Sequence, residues 1–531
     1  MAARLALESD GRSISDPSVA TPWHRNLLES ARTWPWGRWA LQGLASALIA
    51  LVVVAIYDAA RGGNKNSAIS PDRLPRPLTG VNLGGWLCLE DWFFSGPSGR
   101  DVMSMTPAGQ GACLPPLVSH LTTTWPSEGL LTQRLVESKG PEFASSALQS
   151  HRREFISNSD LDDIAGLGMR RVRLPLTWAA FADALTPIDA AVYGGHNADH
   201  DTAIVPDPFY NHLAAFATVP RAWLADFFRR AGERKLGIVL DLHAFPGGSS
   251  NGTYNGIWPS PPAFWQQQSA IGNRSVLLTD AGILIVERMI SWLESLDSTA
   301  LDAVTGVSLM NEPAHMAAID RKSGTPWVTE SQVLSWLTET ADRFRKSKLP
   351  GLGKKLYVQL IETAFDDFDG TVVPWFKRTF TKDERRRWVV ADLHNYVAWS
   401  YGSCDGRLLE GGGWLCDASE EEQRKRLRSC VSPWAKSFQQ RFGDGLMAVS
   451  EFSVGTYSMA RLACDDPAVT RLFLDEQLLA FAGQGIEPFF WTWRMPYGPV
   501  FEGGWSLKHF ANLEPRPSHP CGISMAQVMQ V

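Results

Sequence analysis

The sequence predicts an α/β chain: a (β/α)8 TIM barrel with long loops, preceded by a single N-terminal transmembrane helix. Three observations carry that expectation. Eight short apolar runs alternate with segments of helical period, polar and charged residues stand at the C-terminal ends of those runs, and nineteen residues near the N-terminus hold no charge.

The uncharged stretch, WALQGLASALIALVVVAIY at 39–57, comes first. At a rise of about 1.5 Å per residue it covers roughly 28 Å, close to the hydrocarbon thickness of a bilayer. A cleaved signal peptide fits less well, because 38 residues precede the run, more than an ordinary n-region holds. A buried core helix is typically shorter in apolar length. Residues 1–38 are therefore expected to form a cytoplasmic tail and 39–57 an anchor. Arg25, Arg32 and Arg38 on one side are balanced by Arg61, Lys65, Arg73 and Arg76 on the other, so flanking charge does not orient it. Sequons at Asn251 and Asn273, with cysteines that lack metal-ligand spacing, favour a single-pass type II protein whose C-terminal bulk is extracellular or lumenal.

Residues 58–76, DAARGGNKNSAISPDRLPR, are rich in turn-forming residues without hydrophobic period and form a linker. The barrel is expected over 77–531. Its strands are LTGVNLGGWL (78–87), MRRVRLPL (169–176), GIVLDLHA (237–244), VTGVSLMNEP (304–313), KLYVQLIET (355–363), WVVADLHNY (388–396), LMAVSEFS (446–453) and EPFFWTWR (487–494). Helical period marks SDLDDIAGLG, PRAWLADFFRRAGERK, AGILIVERMISWLESL, SQVLSWLTETADRFRK and VTRLFLDEQLLAFAGQ between them. Alternation of this kind implies right-handed crossovers and a parallel sheet. A doubly wound open sheet is the alternative, weakened because the glycines of GVNLGGWL do not open a helix.

Composition narrows the function. A net charge of −6 with no long Lys/Arg run argues against a nucleic-acid partner. The 22 Trp residues raise the case for a carbohydrate site, since a flat aromatic face suits the apolar face of a sugar ring.

The strand ends carry the chemistry. Glu90 lies just past the first, Arg173 in the second, His243 at the third, Asn311 and Glu312 at the fourth, and Glu362 at the fifth. His394 and Tyr396 end the sixth, Glu451 the seventh, and Trp491 and Trp493 the eighth. Singly, each has an ordinary structural role as a cap, a core histidine or half of a buried ion pair. Jointly they converge on the one rim where parallel barrels keep their catalytic groups. Two acids there suit glycoside hydrolysis, one protonated to help the leaving oxygen depart and one ionised to meet the developing oxocarbenium. Glu312 and Glu451 fit that pair: Arg173 is expected to hold Glu451 ionised, while a less compensated Glu312 keeps a raised pKa. No metal or other cofactor is expected, because His243 and His394 lack a third ligand at a recognised spacing. A serine hydrolase is disfavoured by the lack of a G-x-S-x-G elbow.

These residues resemble a known family. Over about residues 78–521 the chain is similar to glycoside hydrolase family 5 of clan A, most closely its exo-β-1,3-glucanase branch known from fungi. GVNLGGWLCLEDW resembles that branch's opening strand, HRREFISNSDLDDIAGLGMRRVRLPLTWAAF its helix and the strand bearing the family's Arg, and DLHAFPGGSSNG its third-strand loop. The resemblance implies Glu312 as acid/base, Glu451 as nucleophile and Asn311 as the group bonding the sugar 2-hydroxyl. Arg173, His243, His394, Tyr396 and Trp491 would complete the −1 subsite, Glu90 would hold the terminal glucose, and Trp399 would be a clamp aromatic at the +1 subsite. Some members of the branch are type II membrane proteins, which parallels the anchor.

The sequence also departs from the branch. Phe245 intrudes after DLHA, AHMAAID follows the fourth-strand motif, residues 91–126 differ, and RMPYGPVFEGG follows Trp493. These loops shape the subsites, so glycosylceramide or steryl-glucoside hydrolysis stands beside glucan hydrolysis as an alternative, and a membrane-tethered carbohydrate-binding protein without turnover is a third. Of seven cysteines, Cys88 is expected to be a buried thiol and Cys113, Cys404, Cys416, Cys430, Cys464 and Cys521 to lie in loops. The resemblance implies a disulfide from Cys521 to the sixth-strand loop. Asn251 falls where the resemblance places a substrate-lining pair, so it is expected to be unglycosylated and Asn273 to be the glycan site.

Overall fold

Eight parallel strands close on themselves: β1 (Gly80–Asn82), β2 (Arg171–Thr177), β3 (Gly237–Ala244), β4 (Val304–Ser308), β5 (Lys355–Leu360), β6 (Val389–Asn395), β7 (Leu446–Phe452) and β8 (Ile486–Phe490). Each pairs with its neighbours in chain order, and β8 returns to β1 through Gly80↔Phe489 and Val81↔Phe490. All eight expected strands are present in a closed barrel rather than an open sheet. The structure, a computed structural model, describes residues 78–90, 93, 127–271, 275–315, 328–365, 367–399, 418–455, 466–495, 502–511 and 513. The expected anchor at 39–57, the linker, Asn273 and the cysteines at 113, 404, 416, 464 and 521 lie outside these residues. Among those described, no helix is long and apolar enough to cross a membrane.

The helices between the strands are α1 (Glu128–Lys139), α2 (Pro141–Phe155), α3 (Asn158–Gly166), α4 (Arg221–Glu233), α5 (Leu278–Ser295), α6 (Glu330–Lys346), α7 (Val373–Thr379), α8 (Lys382–Arg387), α9 (Glu420–Phe442) and α10 (Pro467–Gly483). The five segments of helical period are α3, α4, α5, α6 and α10. Capping boxes start α3 (Ser157 with Asp160), α6 (Thr329 with Gln332) and α8 (Thr381 with Glu384), each cap stabilising its helix by about 1 kcal/mol. The periodicity reading did not find α9, whose polar, Arg- and Glu-rich sequence also holds Pro433. It buries Leu427, Val431, Ala435, Phe438 and Phe442 all the same. Cys430 sits on this helix rather than in a loop, buried and disulfide-bonded, while Cys88 is a buried free thiol, as expected.

Inside the barrel, Val239, Tyr357, Val390, Ala448 and Phe489 form one apolar layer. Below it the Tyr357 hydroxyl donates to Glu487 at 3.0 Å, and Glu487 pairs with Arg171. Because strand side chains alternate, the positions two residues further along the strands, Asp241, Gln359, Asp392 and Ser450, form a polar layer above. The large rings fit because small residues face them: a Cβ on Gly80 would lie 2.6 Å from a Phe489 ring carbon and 2.7 Å from the Arg171 carbonyl. Gly80→Ala should therefore lower stability by about 1–3 kcal/mol, read as a fall in the urea midpoint at unchanged m-value; an unchanged midpoint would mean that the wall yields there.

Candidate active site

The polar layer leads up to a fully buried guanidinium. Arg173 Nη1 donates to Glu451 Oε1 at 2.5 Å and to Asn82 Oδ1 at 3.0 Å, and Nη2 donates to Asn311 Oδ1 at 2.7 Å and pairs with Asp241 Oδ2 at 3.0 Å. Burial works against its charge, but Asp241, Glu451 and Asp392 outweigh that and raise its pKa. Burial likewise pushes the Asp241 carboxyl up, and Arg173 and His243 pull it below the ordinary value. Asp392, with less compensation, is pushed up by burial to about 6.

A bulge aims Glu451. Between β6 and β7 the register runs Leu393↔Val449 and then His394↔Glu451, and β8 shows the same slip from Pro488↔Val449 to Phe490↔Phe452. Strict alternation after Ala448 and Ser450 would turn Glu451 outward. The extra residue brings it inward beside Ser450, as bulges near functional sites do. Its Oε2 accepts from the Tyr396 hydroxyl at 2.6 Å and lies 3.3 Å from His394 Nδ1. Burial and the neighbouring Glu451 hold the Tyr396 phenol protonated, its pKa raised well above the usual value.

Glu312 is aimed by backbone strain instead. It and Ala314 have φ of 40° and 59°, left-handed values that cost a non-glycine residue about 1–2 kcal/mol each. The turn is held by bonds from Asn311 N to Leu242 O at 2.9 Å, Ala314 N to Ser249 O at 3.2 Å and Asn251 N to His315 O at 3.0 Å. Gln359 Oε1 accepts from the Glu312 amide. The Glu312 carboxylate meets an imidazole on each oxygen, His394 Nδ1 on Oε1 and His315 Nδ1 on Oε2, both at 2.8 Å. Here the expectation of a raised Glu312 pKa is corrected. Burial does push the carboxyl up, but His315 and His394 outweigh it and hold the unliganded group well below the usual range.

The rest of the expected set is largely assembled. His243 bonds Asp241 through Nδ1 at 2.7 Å, stacks on Trp491 with ring centres 5.6 Å apart, and has Nε2 3.9 Å from Glu90 Oε1. Burial lowers the pKa of its imidazole and Asp241 more than restores it, so the net direction is up. Glu90 sits in a loop bridged to Ser127, beside Leu89, whose amide donates to buried Glu128 at 2.7 Å. Burial pushes Glu128 up to about 7 against the pull of Arg152 and that amide. The backbone of Trp399 ends the short turn Val397–Trp399 after β6, and its side chain lies outside the described residues. Glu362 and Trp493 are not in the site. Glu362 faces Arg441 and the Trp434 indole on α9, and Trp493 donates to Asp160 at 2.8 Å. Phe245 turns from the mouth into an aromatic cluster with Phe264 and Trp336.

Asn82, Asp241, Gln359, Tyr254 and His315 were not singled out from the sequence. Asp241 and Gln359 had a signal: each is a polar residue inside an otherwise apolar strand, at the parity of an inward position. One ligand atom each from Glu312, His394 and Glu451 lies within 4.8 Å of the others. A guanidinium on Glu451 Oε1 disfavours a cation there, so the cluster is better suited to paired-carboxylate chemistry.

No family model matches the chain. It is similar to the probable glucan 1,3-beta-glucosidase A of Emericella nidulans, 27% identical over 469 residues, spanning 82% of this chain and 88% of the relative. The Aspergillus clavatus protein of the same name is 28% identical over 491 residues, spanning 88% and 92%. Among solved structures, rutinosidase from Aspergillus niger is 15% identical over 82% of this chain and 96% of that one, with a TM-score of 0.48. Thermotoga maritima Cel5A is 12% identical over 65% and 84%, with a TM-score of 0.36. The chain is a glycoside hydrolase.

Gln359 spans both halves of the site, because its Nε2 lies 2.6 Å from His394 Nε2 while its Oε1 holds the Glu312 amide. Gln359→Leu keeps the volume but leaves the Glu312 amide without its partner and His394 Nε2 with Ser450 Oγ alone, which costs about 1–3 kcal/mol for a buried hydrogen-bonding group. Steady-state kinetics on an aryl glycoside should show kcat down about 10–100-fold with KM within about 3-fold, whereas a change in KM alone would make Gln359 a binding group.

Proposed function

We propose that the enzyme is a retaining β-glucosidase acting on β-1,3-glucan, with Glu451 as nucleophile and Glu312 as acid/base. The observation that supports the mechanism is the closeness of the two acids: one oxygen of each lies within 4.8 Å of the other, and both contact His394 Nδ1, at 2.8 and 3.3 Å. Retaining enzymes hold their carboxyls about 5–5.5 Å apart and inverting ones about 6.5–9.5 Å, to admit a water. The names of the relatives support the substrate class.

In the first step the Glu451 carboxylate attacks the anomeric carbon, the glycosidic C–O bond breaks, and Glu312 gives its proton to the departing oxygen. In the second, water attacks the glycosyl ester, Glu312 takes the water's proton, and Glu451 is released as carboxylate. Arg173 and Tyr396 orient the nucleophile throughout. Asn311, whose Oδ1 is engaged by Arg173 and whose Nδ2 lies 3.5 Å from His243 Nε2, offers its second amide hydrogen to the sugar 2-hydroxyl. Glu90 and the His243–Trp491 stack line the terminal sugar, and the resemblance assigns Trp399 to the next. We also infer a type II anchor at 39–57, which protease protection of sealed microsomes tests: digestion of the C-terminal domain from the cytosolic side would contradict it.

The two acids separate by mutation. Glu451→Gly should cut turnover by several orders of magnitude on every substrate, with azide restoring a product of inverted configuration. Glu312→Ala should still form the glycosyl-enzyme from activated aryl glucosides but barely touch laminarin, with azide giving the retained product. Early wild-type product should be the β-anomer by NMR; α-glucose would overturn the double displacement. Across laminarin, pustulan, lichenan, mannan and glucosylceramide, laminarin should be the best substrate, and a preference for glucosylceramide would move the substrate to glycolipid.

A further inference from the structure

The mechanism above requires a proton on Glu312 when substrate binds, yet both Glu312 oxygens already receive hydrogen bonds from imidazoles. The surrounding bonds say which imidazole can carry that proton. Gln359 Oε1 is committed to the Glu312 amide, so its Nε2 is the amide donor facing His394 Nε2 at 2.6 Å. His394 Nε2 is thus occupied by Gln359, with Ser450 Oγ also 3.1 Å away, and its Nδ1 faces both acids. The His394 side chain is 3% exposed, so both ring nitrogens are engaged within the protein and neither is open to solvent.

His315 is placed differently. Two left-handed residues, Glu312 and Ala314, fold the turn back so that His315 N bonds Glu312 O at 3.0 Å and the ring meets the carboxylate three residues earlier. Its Nδ1 is 2.8 Å from Glu312 Oε2 and 3.1 Å from the Tyr254 hydroxyl, and Nε2 has no partner among the described residues. The side chain is 26% exposed, so Nε2 can bind a proton from solvent.

We propose that His315 is a positioning residue that holds the acid/base proton of Glu312: at rest the pair is imidazolium and carboxylate, and with substrate bound the proton passes from Nδ1 to Oε2. One N–H bond breaks, one O–H bond forms, and the pair stays neutral. The new O–H then turns to the glycosidic oxygen, and the water of the second step returns a proton to the pair. Substrate drives the shift because a bound sugar removes water, and losing water penalises an ion pair more than two neutral groups.

Among the described residues, the charged and titratable groups facing this pair are Glu451, His394 and Tyr254. Tyr254 is raised well above its usual pKa by burial and by Glu312, so it stays a neutral donor. Burial lowers the pKa of the His315 imidazole, but Glu312 and Glu451 outweigh it and the net direction is up. The pair thus keeps its proton below an elevated imidazole value and loses it as pH rises through that value.

The inference rests on the retaining mechanism proposed above, and its test separates the two. With a phenyl β-glucoside, which needs the acid, His315→Gln should lower kcat/KM at pH 7 about 10–100-fold. The alkaline limb of its pH profile should move at least about 1 unit toward acid, because the remaining proton is then that of a carboxylic acid. With 2,4-dinitrophenyl β-glucoside, whose leaving group needs no acid, the loss should stay within about 3-fold. In the full-length protein, imidazole NMR should show the His315 pKa falling in Glu312→Gln, a readout that does not depend on a His315 variant folding. Equal loss on both substrates, an unmoved alkaline limb or an unmoved His315 titration would overturn the assignment while leaving the two carboxylates in their roles. A wild type inert on both substrates would overturn the retaining mechanism and this inference with it.

Discussion

Everything at the barrel mouth is arranged around the buried guanidinium of Arg173. Taking it out of water is costly, and the fold answers with Asp241 beside it, Glu451 above it, and the amide oxygens of Asn82 and Asn311. Removing one partner of such a pair typically costs 3–5 kcal/mol, because a bare charge is left behind. The acceptors come from four different strands or strand ends, β1, β3, β4 and β7, so the arginine fixes the spacing of the walls as well as the orientation of Glu451. This is a reason for the barrel to carry a charge where an apolar residue would pack more cheaply: the same contacts that satisfy Arg173 hold a carboxylate and an amide at the positions that the proposed reaction needs.

Two local irregularities complete what Arg173 begins. A regular β7 would send Ser450 and Glu451 to opposite faces, whereas the bulge turns both inward, so that His394 reaches Ser450 at 3.1 Å and Glu451 at 3.3 Å. A relaxed turn after β4 would not return His315 to Glu312; the left-handed backbone at 312 and 314 does. In both places local conformational energy is spent on aim, and the rigid sheet on either side supplies it.

The barrel was legible in the sequence because its strands are buried on both faces and therefore read as continuous apolar runs, with helical period between them. The helix α9 was not, because a face rich in Arg and Glu masks its buried positions and Pro433 argues against a helix. At the site, identity was legible and environment was not. Glu312, Glu362 and Glu451 are all acids at strand ends, and nothing local in the sequence reveals that Glu362 turns outward onto Arg441. The expected raised pKa of Glu312 failed for the same reason. It took Glu312 to lack compensation, whereas His315, returned to it by the turn three residues on, and His394, from a strand 82 residues away, both oppose burial.

The charges of the mouth then fit the reaction cycle. Asp241 and Glu451 face Arg173, and Glu312 faces His315. In the proposed mechanism the proton moves within the second pair, so Glu312 takes its acid form without altering the net charge felt by Arg173 and Glu451. In a water-poor site a change of one full charge at this range would act on the nucleophile with little screening. In the proposed mechanism, pairing Glu312 with a partly exposed imidazole lets the carboxylate become the acid without a change in the pair's charge before the bond breaks, and His394, beside Gln359, stays in contact with both acids. The arrangement asks one histidine to stand at the edge, where solvent can recharge it, while the other stands inside, within reach of both acids.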